Sequence, residues 1–166
     1  MNTKLEMMQE VSIAINVLTL CQGFKFHALS YEDFKNYRLL KYLSESEALK
    51  AVDLGLFDAR DKIDLEEKIA ALLSGADKDV LLKEMEKWLY IRLKELRGCS
   101  IDDVEILNKI AEIYADFDYP PFMQHFVNYM PSDVDLSGYT VEQAQVRLIN
   151  LCDTFVNDLE SKLRNR

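Results

Sequence analysis

Residues 140–163 read TVEQAQVRLINLCDTFVNDLESKL. Thr140 with Gln143 forms a capping box, the reciprocal arrangement of side chains that opens a helix. Behind it Val141, Ala144, Leu148, Leu151, Phe155, Leu159 and Leu163 recur at helical spacing, with polar residues on the other side. Strand-type alternation is hardly seen anywhere in the 166 residues, and five Gly and three Pro are too few for a barrel or sandwich with many tight turns. The expected fold is all-α, a bundle of about seven to eight helices forming one domain. No repeat or low-complexity linker divides residues 1–166.

Toward the N-terminus the same logic sets out the other helices. Residues 3–22 are apolar on most sides, through Leu5, Met8, Val11, Ile15 and Leu18 with Ile13, Val17 and Leu20 beside them, and Gly23 suits a helix stop. So wide an apolar face predicts the central helix of the bundle. Ser30 with Asp33 caps a second helix, with Phe34, Tyr37, Leu40 and Leu43 facing inward. Ser44 starts a third, stopped by Gly55, and Asp64 with Glu67 marks another ending at Gly75. Asp77 or Asp79 opens a long helix to Arg97, with Leu82, Met85, Leu89, Leu93 and Leu96 as its stripe. Ser100 with Asp103 opens the next, with Val104, Leu107, Ile110 and Tyr114 inward.

The formal charge is −9, unevenly spread: residues 99–138 carry eight acids against Lys109 alone. Such a field repels nucleic acid and anionic lipid and attracts basic partners or cations; a solvated surface that aids solubility needs the same residues. Cys21, Cys99 and Cys152 lack CxxC spacing and lie in or beside apolar segments, which fits buried reduced thiols and a cytosolic setting. The apolar run Val11 to Cys21 has no basic leader and is too short to span a bilayer, so it reads as a core helix.

All three prolines fall in Glu112–Asp133, EIYADFDYPPFMQHFVNYMPSD. Tyr119 precedes Pro120 and is steered out of the right-handed helical region, so the preceding helix is expected to end near Ala115 or Asp116. A new helix can begin at Pro120 or Pro121, with Phe122, Phe126 and Tyr129 on one face and Gln124, His125 and Asn128 elsewhere. If the linker is extended, Asp116 and Asp118 project to one side and Phe117 and Tyr119 to the other. Two carboxylates over an aromatic base suit an incoming Arg or Lys. The competing account is that Asp118 caps the following helix and the aromatics are core. The candidate partner-binding residues are Asp116, Phe117, Asp118, Tyr119, Phe122 and His125.

IYADFDYP, followed by an aromatic stretch and YMP, resembles the signature of a family of small, acidic bacterial proteins classed as a domain of unknown function. The resemblance rests on Ile113 to Pro131, with length and acidity in support. It implies that the elbow is a family hallmark, and it carries a link to immunity proteins encoded beside secreted polymorphic toxins. It brings no catalytic residues with it.

Other chemistry finds weaker footing. DVDLSGYTVEQA at 133–144 begins like a calcium loop but has Ala144 where a bidentate Glu belongs. His27 and His125 lack the spacing of a zinc site, and no phosphate-cradling glycine motif or nucleophile elbow occurs. Cys152, beside the apolar stripe, reads as packing. No cofactor or metal is expected. The favoured function is a non-enzymatic cytosolic binding protein, an immunity protein that occludes a basic toxin surface. The alternatives are a metal-dependent enzyme using Asp116, Asp118 and His125, or a helical adaptor that self-associates through an exposed apolar stripe.

Overall fold

The computed structural model describes residues 2–35 and 37–165. Among them every regular element is helical: eight α-helices and two short 3-10 helices, with no strand. The all-α expectation holds. The chain divides into two units, one ending at Trp88 and one covering Leu89–Asn165. The division falls inside a continuous helix, and no linker composition marks it.

The first unit holds α1 (Thr3–Glu10), α2 (Val17–Lys25), α3 (Tyr31–Lys35), the 3-10 helix Arg38–Tyr42, α4 (Glu45–Asp53), α5 (Lys62–Gly75) and the first half of α6 (Lys78–Arg97). The single helix expected over 3–22 is two. Val11, Ile13 and Ile15 are β-branched and weaken the helix between them. Ser12 takes a left-handed φ of 62°, and Asn16 restarts the chain through a reciprocal capping box with Thr19. Gly23 does not stop α2 but lies within it. A Cβ there would sit 2.3 Å from Trp88 Cζ2, so the missing side chain is what admits the indole.

The most buried element of this unit is α2, with seven of its nine residues buried, and it packs on α4 and α5. The expected central place of residues 3–22 thus holds for α2, and the start of α6 is fastened to it. Glu84, Glu86 and Lys87 are buried together with Trp88, whereas Leu82 of the expected stripe is exposed. Glu84 and Lys87, 5% and 7% exposed, form an ion pair at 2.7 Å. Glu84 Oε2 accepts from Thr19 Oγ1 at 2.5 Å and Oε1 from Asn16 Nδ2 at 2.9 Å. Lys87 Nζ donates to the Ala14 carbonyl at 2.7 Å, and Trp88 Nε1 to the Thr19 carbonyl at 2.6 Å. The break between α1 and α2 is thereby fastened to α6 by side chains whose partners are all supplied, the condition for charges to survive burial.

Local signals fare unevenly. Ser30 and Asp33 bond reciprocally, Ser44 caps α4, and Gly55 turns left-handed at φ 67° to end it. Asp77 opens α6 by accepting from two backbone amides. The caps of α5 and of α7 (Asp103–Asp116) are Asp61 and Asp102, in place of the expected Asp64 and Ser100. Tyr37 is exposed, and Leu39 and Tyr42 are buried in its stead, because a 3-10 helix turns its faces at three residues.

In the second unit α7 and the 3-10 helix Pro121–Phe126 pack on α8 (Val141–Arg164), and side chains at the end of α6 bond to α7 and α8. The Thr140–Gln143 capping box forms as read. The buried stripe of α8 is Ile149, Cys152, Val156, Leu159 and Leu163, while Val141 is well exposed; the expected stripe is correct only at its C-terminal end. Tyr90 donates to Glu160 at 2.6 Å, and Arg97 grips Asp153 with two bonds of 2.6 and 3.1 Å. Cys21 and Cys152 are buried, and desolvation pushes their thiols up to about 12. Cys99 is exposed, contrary to expectation, because α6 ends at Arg97 and leaves it outside the packed helix. Among the described residues no helix is long and apolar enough to cross a membrane.

Candidate functional site

The elbow is built from the way α7 stops. Asp116 is its last residue, Phe117 its C-cap, and Asp118 and Tyr119 follow with φ of 61° and 58°. Their amides turn back onto the helix end: Asp118 N–H donates to the Ala115 carbonyl at 3.1 Å and Tyr119 N–H to the Tyr114 carbonyl at 2.9 Å. Pro120 is extended, and Pro121 opens the 3-10 helix without a capping side chain. The proline does keep Tyr119 out of the right-handed region, but the chain leaves into the left-handed one instead of extending. Aspartate tolerates that conformation; a tyrosine there is uncommon and strained.

This replaces the expected alternation. Phe117 is buried and Tyr119 is 59% exposed, so the two rings do not share a side. The two carboxylates hang from a helical last turn and from a left-handed turn, not from one edge of an extended segment. Asp116 is exposed and meets Arg92 Nη2 at 3.3 Å. Asp118 is exposed as well. Phe122 is half-buried, stacked on Phe155 with centroids 5.9 Å apart. His125 is exposed, its ring edge-on to Phe126 at 4.8 Å. Of the six candidates, Asp116, Asp118, Tyr119 and His125 face solvent, Phe117 is core, and Phe122 leans on α8.

A seventh residue belongs with them. Tyr129 is 57% exposed, with its ring 6.2 Å from Tyr114, while Tyr119 sits 5.3 Å from the same buried ring in an edge contact. Desolvation, then the neighbouring Tyr114 and Tyr119, raise the Tyr129 phenol above its ordinary value. Two exposed tyrosines thus rest on one buried tyrosine beside the aspartates. The shared helical face expected for Phe122, Phe126 and Tyr129 does not form, because the 3-10 helix ends at Phe126.

The electrostatics are milder than the segment's charge suggests, because cations from elsewhere in this unit enter it. Arg92 holds Asp116, and Arg147 meets Asp133 at 2.8 Å. The hydrogen bond from Arg147 is the main reason that Asp133 titrates below the ordinary carboxylate range. Lys109 pairs with Glu112 at 2.9 Å. In the calcium-like loop, Asp133 is thus engaged with Arg147, and Asp135 accepts from the Ser137 amide at 2.9 Å. Among the described residues no group of three or more His, Cys, Asp or Glu is placed to hold a metal ion.

No curated protein and no solved structure matches the chain. A family model does, over residues 5–160, far beyond the Ile113–Pro131 stretch on which the sequence resemblance rests. The chain belongs to that family, DUF2247, described as an uncharacterised protein conserved in bacteria.

Proposed function

We propose that this chain is a non-enzymatic binding protein whose elbow docks onto a basic surface of a protein partner, with neutralisation of a cognate toxin as the favoured case. The observation that carries the proposal is the solvent-facing pair Tyr119 and Tyr129 next to the exposed carboxylates of Asp116 and Asp118. Tyrosines supply large contact area at low entropic cost and recur among the residues that dominate binding energy. The aspartates would receive Lys or Arg side chains by charge-assisted hydrogen bonds. An arriving cation would compete with Arg92 for Asp116, which favours a partner presenting more than one positive group.

The test is co-purification with the products of neighbouring genes, followed by affinity measurement across a salt series. Binding should weaken as salt rises. Asp116→Lys with Asp118→Lys should lower affinity at least about tenfold, and Tyr119→Ala with Tyr129→Ala by a similar factor. Phe117 is left intact because its loss would damage packing. An affinity unchanged by both pairs would move the contact surface elsewhere.

One observation favours self-association as a second account. Tyr139 and Val146 are exposed on one surface at the start of α8. A solution mass that rises with concentration, and that Val146→Lys returns to the monomer value, would support it.

A further inference from the structure

α7 ends on a negative pole. Its last turn holds no basic residue and carries Asp116, so a carboxylate and the partial negative charge of a helix C-terminus fall at one place. Such an end favours a cation. The chain supplies one loosely: Arg92 meets Asp116 by one nitrogen on one oxygen at 3.3 Å, with half of the aspartate side chain in solvent. A guanidinium that used both of its forked N–H groups would take both carboxylate oxygens.

The aromatic part of the elbow is tied to the same turn. Tyr119 N–H donates to the Tyr114 carbonyl at 2.9 Å, and its ring stands edge-on to Tyr114 with centroids 5.3 Å apart. Tyr129 rests on Tyr114 as well, at 6.2 Å, and both outer rings are more than half exposed. Tyr119 holds a φ of 58°, a conformation that glycine or asparagine adopts at less cost. A tyrosine kept there with its ring in solvent is better explained by what the ring meets than by what the backbone needs.

We propose that the elbow is a seat for arginine in particular: a guanidinium from the protein partner takes both oxygens of Asp116 in place of Arg92 and lays its flat face on Tyr119, while Tyr129 extends the aromatic surface. Lysine supplies the charge but neither the fork nor the plane. Displacing Arg92 costs little, because exposed pairs contribute little and its head returns to water. The seat rests on the reading of the elbow as the docking surface and adds which side chain that surface takes.

Hexa-arginine and hexa-lysine, equal in charge, test it. Each is titrated into the ¹⁵N-labelled full chain at low salt. Hexa-arginine should shift the backbone amides of Phe117, Asp118 and Tyr119 and the side-chain Nε–H of Arg92, and should bind about tenfold more tightly than hexa-lysine. Tyr119→Asn suits the left-handed backbone, so it removes the ring and keeps the turn. Combined with Tyr129→Ser it should bring the two affinities to within about twofold of each other. Equal affinities for the wild-type chain, with shifts at the elbow, would overturn the arginine seat and leave the docking surface standing. Shifts confined to other regions, or none at millimolar peptide, would overturn both. A preference that survives the loss of both rings would belong to acidic surfaces in general and would overturn the seat. The wild-type comparison decides the matter even if the double variant does not fold.

Discussion

Glu84 with Lys87 and Asp116 with Arg92 are both acid–base pairs placed near aromatic rings, yet they serve opposite ends. Around Glu84 each oxygen has a partner and the pair is sealed. Around Asp116 the contact is a single long bond of 3.3 Å, with half of the aspartate side chain in solvent. Removing a partner from the first leaves an uncompensated buried charge. Removing one from the second returns a carboxylate or guanidinium to water at little cost. Burial, and not residue type, decides whether charge holds a fold together or stays available to another molecule.

The contrast breaks most readily at the sealed pair. Glu84→Ala should destabilise the protein by about 3–5 kcal/mol in urea unfolding, because Lys87 would remain buried without its counter-charge. Glu84→Leu combined with Lys87→Met should cost less than half as much, since neither charge is then stranded. A single-variant loss below about 1 kcal/mol would mean that water reaches the cluster and that it resembles the elbow after all.

Gly23→Ala follows in size. The new methyl would lie 2.3 Å and 2.6 Å from two atoms of Trp88. The indole cannot easily retreat, because its N–H is held by the Thr19 carbonyl at 2.6 Å. Overpacking of this kind should cost about 1–3 kcal/mol, and the emission of Trp88, the chain's single tryptophan, should shift with it. An unchanged spectrum and stability would show that the contact can relax.

Tyr90 and Glu160 lie between the two extremes. Tyr90 is 1% exposed and donates to a carboxylate. Burial first, then the bond to Glu160, raise its phenol above the ordinary value, while the same bond, chiefly, lowers Glu160. The folded state therefore keeps the tyrosine proton where the unfolded chain releases it. Stability should be undiminished below about pH 10 and fall as pH rises beyond it. At the acid end the Glu160 contribution is full above the ordinary carboxylate range and is lost as pH falls toward its lowered folded value. Tyr90→Phe should cost about 1 kcal/mol at neutral pH and flatten the alkaline decline. A decline unaltered by the variant would assign it to another group.

What could be read from the residues was what the backbone decides within three or four positions. Thr140 finds Gln143, Ser30 finds Asp33, and Gly55 ends α4 without outside help. The burial of α6 was not legible, because Glu84 meets Thr19 across 65 positions and Lys87 meets Ala14 across 73. A Glu and a Lys three residues apart look like a solvated face until those partners are known. The elbow was legible in part. Proline excludes one backbone region for Tyr119 but leaves two others, and the choice of the left-handed one separates Phe117 from Tyr119. Tyr129 leaves the face it is expected to share with Phe122 and Phe126 for a related reason: helical periodicity does not reach past a 3-10 helix that ends at Phe126.

The smallest effect is the one that keeps the elbow open to a partner. Asp116→Asn removes the negative charge from a contact that is half in solvent on one side and about a quarter exposed on the other. Exposed pairs of this geometry contribute about 0–1 kcal/mol, so the variant should unfold within about 0.5 kcal/mol of wild type. Arg92 keeps its stem packed and its head in water, which leaves no stranded charge. A loss of 2 kcal/mol or more would place Asp116 with Glu84, as part of the scaffold. The elbow would then lack a free carboxylate at that position, and recognition of a basic surface would fall to Asp118 and the two exposed tyrosines.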